Sequence, residues 1–296
     1  MAEKHYPGGL HPGWRLLIWL AMLLGLAALM GFAIVRLFHP ADGPFLDPLR
    51  LTVSDLLGLI PAVIATGVMM RLERRTWRDY YWPTRDLFGR WFRRGLIWGF
   101  AAISADIGLI ALAGAYRING FALSGAPLVQ FTLLWLLASL TIGVVEEFIY
   151  RAYVLRTLAD AIGFWPAAIV LAVFFGALHY FTKPFERWED WVSVGLLALF
   201  MSLTVLRTGT LAFAIGWHAA FDWGAIFFWS GRNAGEYAHG HLFDTTWRGS
   251  IHLTGGMLGP EASWMMAIVI ALLFAGFKAR YPAARFPGLA VHSADS

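Results

Sequence analysis

The sequence predicts an all-α, polytopic membrane protein with about eight transmembrane helices in one bundle. Hydrophobic residues make up 58% of the 296-residue chain and charged residues only 14%, whereas soluble domains carry about 25% charged residues. The apolar runs are about 17–25 residues long and do not alternate, which favours membrane helices over barrel strands. Many of the 15 tryptophans lie near the ends of these runs, where aromatic residues anchor helices at the membrane surface.

The predicted spans follow one another with short connections. They are expected at residues 16–38, 51–70, 95–116, 128–147, 164–180, 191–206, 211–229 and 263–277. The last is short for a crossing but can be extended at both ends. A turn is expected around 160–163, and the connections 117–127 and 231–261 are predicted as loops. We expect one transmembrane domain over residues 14–280, between polar tails at 1–13 and 281–296.

The connection 71–94 indicates the orientation. It holds eight arginines, which are Arg71, Arg74, Arg75, Arg78, Arg85, Arg90, Arg93 and Arg94. Such a loop stays in the cytoplasm, and an even number of spans then places both termini there. We expect an integral protein of the cell (inner or plasma) membrane. The net charge of +4 belongs to this loop pattern, so it does not indicate a nucleic-acid partner.

The fourth span ends in two adjacent carboxylates, Glu146 and Glu147. A charge at bilayer depth costs about 2.5–3.5 kcal/mol on insertion scales, so a pair needs a reason. Glu147 and Arg151 share a helical face and can form an ion pair, whereas Glu146 points elsewhere and stays free. An ion pair near the membrane surface is the simpler alternative, but it leaves Glu146 without a partner.

Two further spans carry histidines at membrane depth. Phe175 and His179 share one helical face, and His218 and Asp222 share another. Each histidine alone could be a satisfied packing group, and the His218–Asp222 pair could be an internal hydrogen bond. Three such sites in one bundle instead predict a shared, hydrated intramembrane cavity, because isolated polar groups are costly there.

These residue types are suited to hydrolysis. A buried carboxylate can act as the general base on water, and histidines can orient that water or stabilise an oxyanion. Two histidines and a carboxylate, here His179, His218 and Glu146, would also suit a divalent metal such as zinc with an open fourth position. The chain has no cysteine, which excludes disulfides, thiol nucleophiles and cysteine-ligated metals.

Other polar residues are predicted to be solvated. His239, His241 and His252 lie in the glycine-rich connection 231–261, where a surface loop is the better interpretation. Asp244 and Glu261 are expected to be exposed in the same way.

The three motifs, in this order on successive helices, resemble those of the CPBP family. This family contains type II CAAX prenyl proteases and bacteriocin-processing enzymes, and is also called Abi. The resemblance covers about residues 128–229 and implies an eight-helix intramembrane endopeptidase. Its substrate would be a peptide or protein at the bilayer, with lipidated proteins among the candidates.

The resemblance also implies roles for the motif residues. Glu146 would activate water, and Glu147 with His179 would orient it. Arg151 would hold Glu147, while Phe175 would shape the cavity. His218 and the residue at position 222 would stabilise the oxyanion.

Position 222 departs from the family pattern, because Asn is common there and this chain has Asp222. An ionised Asp only accepts hydrogen bonds, so it could instead fix His218 or ligate a metal. Both a glutamate-type and a metal-dependent mechanism therefore stay open. Two other functions also remain as alternatives: a non-catalytic scaffold or immunity protein of the same fold, and a proton- or metal-linked transporter.

Overall fold

The computed structural model describes residues 9–38, 44, 46–183, 185 and 187–286. Its helices are α1 (Pro12–Phe38), α2 (Pro48–Leu72), α3 (Arg90–Leu112), α4 (Gly125–Glu147), α5 (Leu155–Ile162), α6 (Phe164–Thr182), α7 (Trp188–Thr208), α8 (Ala212–Asp222), α9 (Ile251–Thr254) and α10 (Trp264–Arg280). The predicted all-α fold is thereby confirmed. Of the two predicted tails, residues 1–8 and 287–296 lie outside the described residues.

Six helical segments of the described chain are long and apolar enough to cross a membrane. One of them runs from Gly125 to Ile162, because α4 and α5 are joined by a π-helical segment at Phe148–Val154. The predicted turn at 160–163 is therefore reduced to Gly163, whose φ of 85° ends the helix. The seventh and eighth predicted spans correspond to α8, which a π-helical segment extends to Phe228, and to α10. Neither is among these six segments.

The predicted loops contain short strands that sequence patterning did not indicate. Strand β1 (Tyr116–Phe121) pairs antiparallel with β4 (Phe243–Trp247), and β2 (Arg232–Asn233) pairs with β3 (Glu236–Tyr237). The β1–β4 pair ties the connection before α4 to the connection after α8, and the β2–β3 pair lies within the second of these connections. Together they form a cap over one end of the bundle, which we call the capped end.

The capped end also gathers the start of α2 and the end of α6. Trp135 donates its indole N–H to the carbonyl of His239 at 2.9 Å, and the His239 amide donates to the carbonyl of Leu46. Lys183, directly after α6, forms an ion pair with Glu261, directly before α10. Side-chain contacts therefore hold the cap onto the helices.

The opposite end, which we call the basic end, carries the arginine-rich connection between α2 and α3. Buried Arg15 at the start of α1 pairs with Glu73 at the end of α2, and Arg75 pairs with Asp160 of α5 at 2.7 Å. The amide of Leu211, before α8, donates to the Tyr81 carbonyl. The basic end thus brings together the starts of α1, α3 and α8 and the ends of α2 and α5.

Helix α8 is buried between α3 and α4 because glycines let the backbones approach. A Cβ on Gly99 of α3 would lie 2.1 Å from the carbonyl oxygen of Trp217. A Cβ on Gly143 of α4 would lie 3.0 Å from the carbonyl oxygen of Ile215. Small residues at such crossings are the usual means of close helix packing in membranes. The Gly143 crossing brings the carboxylate end of α4 beside His218.

Candidate active site

A cavity of about 470 Å³ lies inside the bundle and contains all the motif side chains. Helices α2, α4, α6, α7 and α8 contribute to its wall. The lining includes the five residues predicted as catalytic and the two predicted as supporting, which are Glu146, Glu147, His179, His218, Asp222, Arg151 and Phe175. Three separate helices therefore direct these ionisable groups into one space.

Glu147 is fully buried and held from two sides. Its Oε1 accepts from Arg151 Nη1 at 3.1 Å and from His218 Nδ1 at 3.0 Å. Arg151 also donates to the carbonyl of Ala198 on α7. The pairing expected from the spacing of four residues is present, and it joins α4 to α7 and α8.

Glu146 has a different environment from its neighbour. Its side chain is 29% exposed and lines the cavity, with Oε2 3.6 Å from His218 Nε2. Asp222 Oδ2 lies 3.5 Å from the same nitrogen. Both separations exceed an ordinary hydrogen bond. Glu146 is thus the more accessible of the two adjacent carboxylates.

His218 lies between three carboxylates. Because Glu147 accepts from Nδ1, that nitrogen carries a proton. Nε2, when protonated as well, faces the cavity near Glu146 and Asp222 without a short bond to either. A proton on Nε2 is therefore available to a third acceptor, such as an oxygen of a molecule bound in the cavity.

His179 is oriented by its own helix. Its Nδ1 lies 3.0 Å from the carbonyl oxygen of Phe175, which can only accept, so Nδ1 carries the proton and neutral His179 keeps Nε2 as an acceptor. The Phe175 ring packs on the His179 ring with centroids 4.5 Å apart, and the Arg151 guanidinium lies 5.0 Å from the Phe175 centroid. Phe175 thus links the two motifs by packing.

Two motif helices change register directly after their carboxylates. A π-helical segment begins at Phe148 after Glu147, and another begins at Trp223 after Asp222. Such π-helical insertions are rare in proteins as a whole, and those that occur are often found at functional sites. The sequence carries no simple signal for them, and only the structure reveals them.

Three further charged residues line the cavity that sequence analysis did not assign to it. Asp55 of α2, Lys183 and Glu261 all contribute to its wall. Glu261 was expected to be solvated, which is wrong, because its side chain is only 14% exposed and bonds Lys183 at 2.6 Å. Lys183 follows His179 by four residues, a spacing that places both on one helical face and could have indicated Lys183 from the sequence. Nothing local in the sequence connects Glu261 to the site.

The remaining candidates lie elsewhere. His239 pairs with Asp47 at 2.9 Å and is more than half exposed. His252 bonds Glu189 at 2.7 Å, and Asp244 is exposed on β4. None of them lines the cavity.

The Lys183 ion pair gives a prediction on stability. Burial alone would lower the pKa of Lys183, but Glu261 and Asp190 outweigh it and raise that pKa. Burial alone would raise the pKa of Glu261, but Lys183 holds it below its ordinary value. The Lys183→Met variant leaves two carboxylates without their cation, and we expect a loss of about 3–5 kcal/mol near neutral pH. Thermal unfolding in detergent measures it.

The pH dependence of that loss has a definite sign. Glu261 has a lowered pKa in the folded protein, so the pair stabilises above the ordinary carboxyl pKa and ceases to do so as the pH falls through the lowered value. The difference in Tm between the wild type and Lys183→Met should therefore shrink on acidification. The double variant Lys183→Met/Glu261→Gln should recover part of the loss at neutral pH. Equal Tm values for the single and double variants would contradict this account.

The side chains predicted as possible metal ligands, His179, His218 and Glu146, all line the cavity. In the part of the chain that the structure describes, no three His, Asp or Glu side chains are grouped so that they could hold a metal ion. His179 and His218 each use Nδ1 in a hydrogen bond within the protein. Each histidine keeps Nε2 for a further hydrogen bond or for a metal, because metal-ligating histidines commonly donate their other ring N–H to a protein oxygen. These hydrogen bonds are therefore compatible with both a glutamate-type and a metal-dependent mechanism.

Comparison with known proteins agrees with the motifs. Residues 128–224 match the family described as Type II CAAX prenyl endopeptidase Rce1-like. No curated protein matches the chain. The matched range contains all three motifs, from the carboxylate pair to Asp222, and it leaves out the charged residues Asp55 and Glu261. The resemblance to the CPBP family is therefore confirmed over this range: residues 128–224 of the chain are similar to the Rce1-like, type II CAAX prenyl endopeptidases.

Proposed function

We propose that the protein is an intramembrane endopeptidase in which Glu146 activates a water molecule. The observation that carries the proposal is the difference in environment between the two adjacent carboxylates. Glu147 is buried and bound to Arg151 and His218, while Glu146 lies open to the cavity. Paired carboxylates in unequal environments are typical of acid–base chemistry at one site.

The proposed reaction begins with proton transfer from water to the Glu146 carboxylate. The water oxygen then bonds to the carbonyl carbon of the peptide, and the carbonyl electrons move onto its oxygen. The carbon–nitrogen bond breaks as Glu146 returns the proton to the leaving nitrogen. The products are a new C-terminal carboxylate and a new amine, and Glu146 is again ionised.

The surrounding side chains support these steps in different ways. His179 can accept a hydrogen bond from the water at Nε2, because its Nδ1 is bound to Phe175. His218 can donate from Nε2 to the oxyanion. Asp222 cannot donate when ionised, so we assign it to the orientation of His218. This assignment replaces the oxyanion role of the Asn that is common at this position in the family.

The mechanism uses protein side chains and water, in keeping with the hydrogen-bonded arrangement of the histidines. Its substrate is a peptide or protein segment that reaches the cavity within the bilayer. Lipidated proteins belong to the proposed substrates because the matched family is described by CAAX prenyl substrates.

The test is cleavage of membrane-associated peptides by the reconstituted protein, with products identified by mass spectrometry. We expect His218→Gln to lower kcat about 10²–10³-fold, since one oxyanion donor is lost. His241→Gln is the matched control, because His241 lies in the cap and bonds the Ala238 carbonyl. Cleavage at the wild-type rate by His218→Gln would contradict the assigned role, and absence of cleavage by the wild type would favour a non-catalytic protein.

A further inference from the structure

The cavity is asymmetric along the bundle. Four of its lining residues belong to connections rather than to the membrane helices, namely Leu46, Lys183, Asn233 and Glu261. All four lie at the capped end, where Leu46 contacts the cap and Lys183 pairs with Glu261. The lining includes no residue of the basic-end connections at 73–89, 209–211 or 281–286. The cavity therefore extends from Glu146 towards the capped end.

The accessible part of the wall is at the same end. Ser54 and Thr182 line the cavity and are also exposed. Thr182 is the last residue of α6, and Ser54 lies about 9 Å from the start of α2 at 1.5 Å per residue. Exposed side chains that also line a cavity mark its mouth. This mouth lies between α2 and α6, near the cap.

The depth of Glu146 agrees with this direction. Trp135, which bonds the cap, precedes Glu146 by about 16 Å along the helix, and Asp160 of the basic end follows it by about 21 Å. The ion pairs of Arg15, Arg75 and Asp160 lie at the basic end, and none of these residues lines the cavity. Glu146 is therefore closer to the cap than to the ion pairs of the basic end.

The two ends differ in charge. The basic end carries the arginine-rich connection 71–94 together with Arg207, Lys278 and Arg280. Positively charged connections of this length stay in the cytoplasm during insertion. Since the cavity opens at the other end, its mouth faces away from the cytoplasm.

We propose that the substrate is a membrane-associated peptide presented on the non-cytoplasmic side of the membrane. This inference rests on the proposed endopeptidase activity for the nature of the reaction, but the direction of the mouth depends only on geometry and charge. Of the lipidated proteins proposed above as substrates, this direction admits those whose scissile segment lies on the non-cytoplasmic side of the membrane. An exported or translocated segment is the class of peptide that reaches Glu146.

The absence of cysteine from the sequence makes the test direct. Thr182→Cys places a single thiol at the mouth, and Thr84→Cys places one at the basic end, where Thr84 is also exposed. A membrane-impermeant maleimide is applied to right-side-out and inside-out vesicles, and labelling is normalised to labelling in detergent. We expect Thr182→Cys to label at least about tenfold better in right-side-out vesicles, and Thr84→Cys to show the reverse.

The inverse pattern, or equal labelling of each variant in both kinds of vesicle, would overturn the proposal. Because labelling requires no catalysis, it decides the direction of the mouth even if no peptide is cleaved. A second measurement adds a membrane peptide to the outside of each kind of vesicle containing the wild type. Cleavage confined to right-side-out vesicles is expected, and cleavage confined to inside-out vesicles would overturn the proposal. Cleavage in neither would count against the endopeptidase activity and leave the labelling result standing.

Discussion

Glu146→Gln should lower kcat/KM by about 10²–10⁴-fold, the contribution of a general base, while the protein folds and inserts normally. The amide keeps the shape of the side chain but cannot take a proton from water. Stability should hardly change, because Glu146 Oε2 has no hydrogen-bond partner among the described residues and lies 3.6 Å from His218 Nε2. Cleavage rates and thermal unfolding of the same preparation measure both effects.

The control for Glu146→Gln is Asp244→Asn, a change of one exposed carboxylate on β4. It should leave both the rate and the Tm at wild-type values. A Glu146→Gln protein that cleaves at the wild-type rate would remove Glu146 from the mechanism. A variant that loses activity only in proportion to its unfolding would give Glu146 a structural role instead.

Glu147→Gln should also abolish cleavage, but because the protein is destabilised rather than because the general base is lost. Glu147 and Arg151 are both almost wholly buried, and the substitution leaves the guanidinium without its counter-charge. Breaking such a pair from one side costs about 3–5 kcal/mol, because one buried charge remains uncompensated. His218 loses its anionic acceptor as well. We therefore expect a large drop in Tm together with loss of cleavage.

The double variant Glu147→Gln/Arg151→Met separates charge from packing. It removes both charges, so it should regain much of the stability lost by Glu147→Gln alone while remaining inactive. Thermal unfolding of the two single variants and the double variant gives the coupling between the residues. A Glu147→Gln protein that unfolds at the wild-type temperature would show that the ion pair does not hold α4 to α7 and α8.

The sequence by itself predicted the class of fold and the motifs. Runs of apolar residues must form helices in a bilayer, because no water is present to satisfy the backbone. The spacing of four between Glu147 and Arg151, and between His218 and Asp222, places each pair on one helical face. These inferences depend on local geometry, which composition and spacing determine.

The tertiary structure decided which charges share the cavity and where it opens. Asp55 and Glu261 are far from the motifs in sequence, and they reach the cavity only because α2 packs on α4 and the cap folds back before α10. The close approach at Gly143, which puts His218 beside Glu147, depends on the crossing of two helices. Contacts between distant segments arise from packing of whole elements, and no local pattern of residues records them.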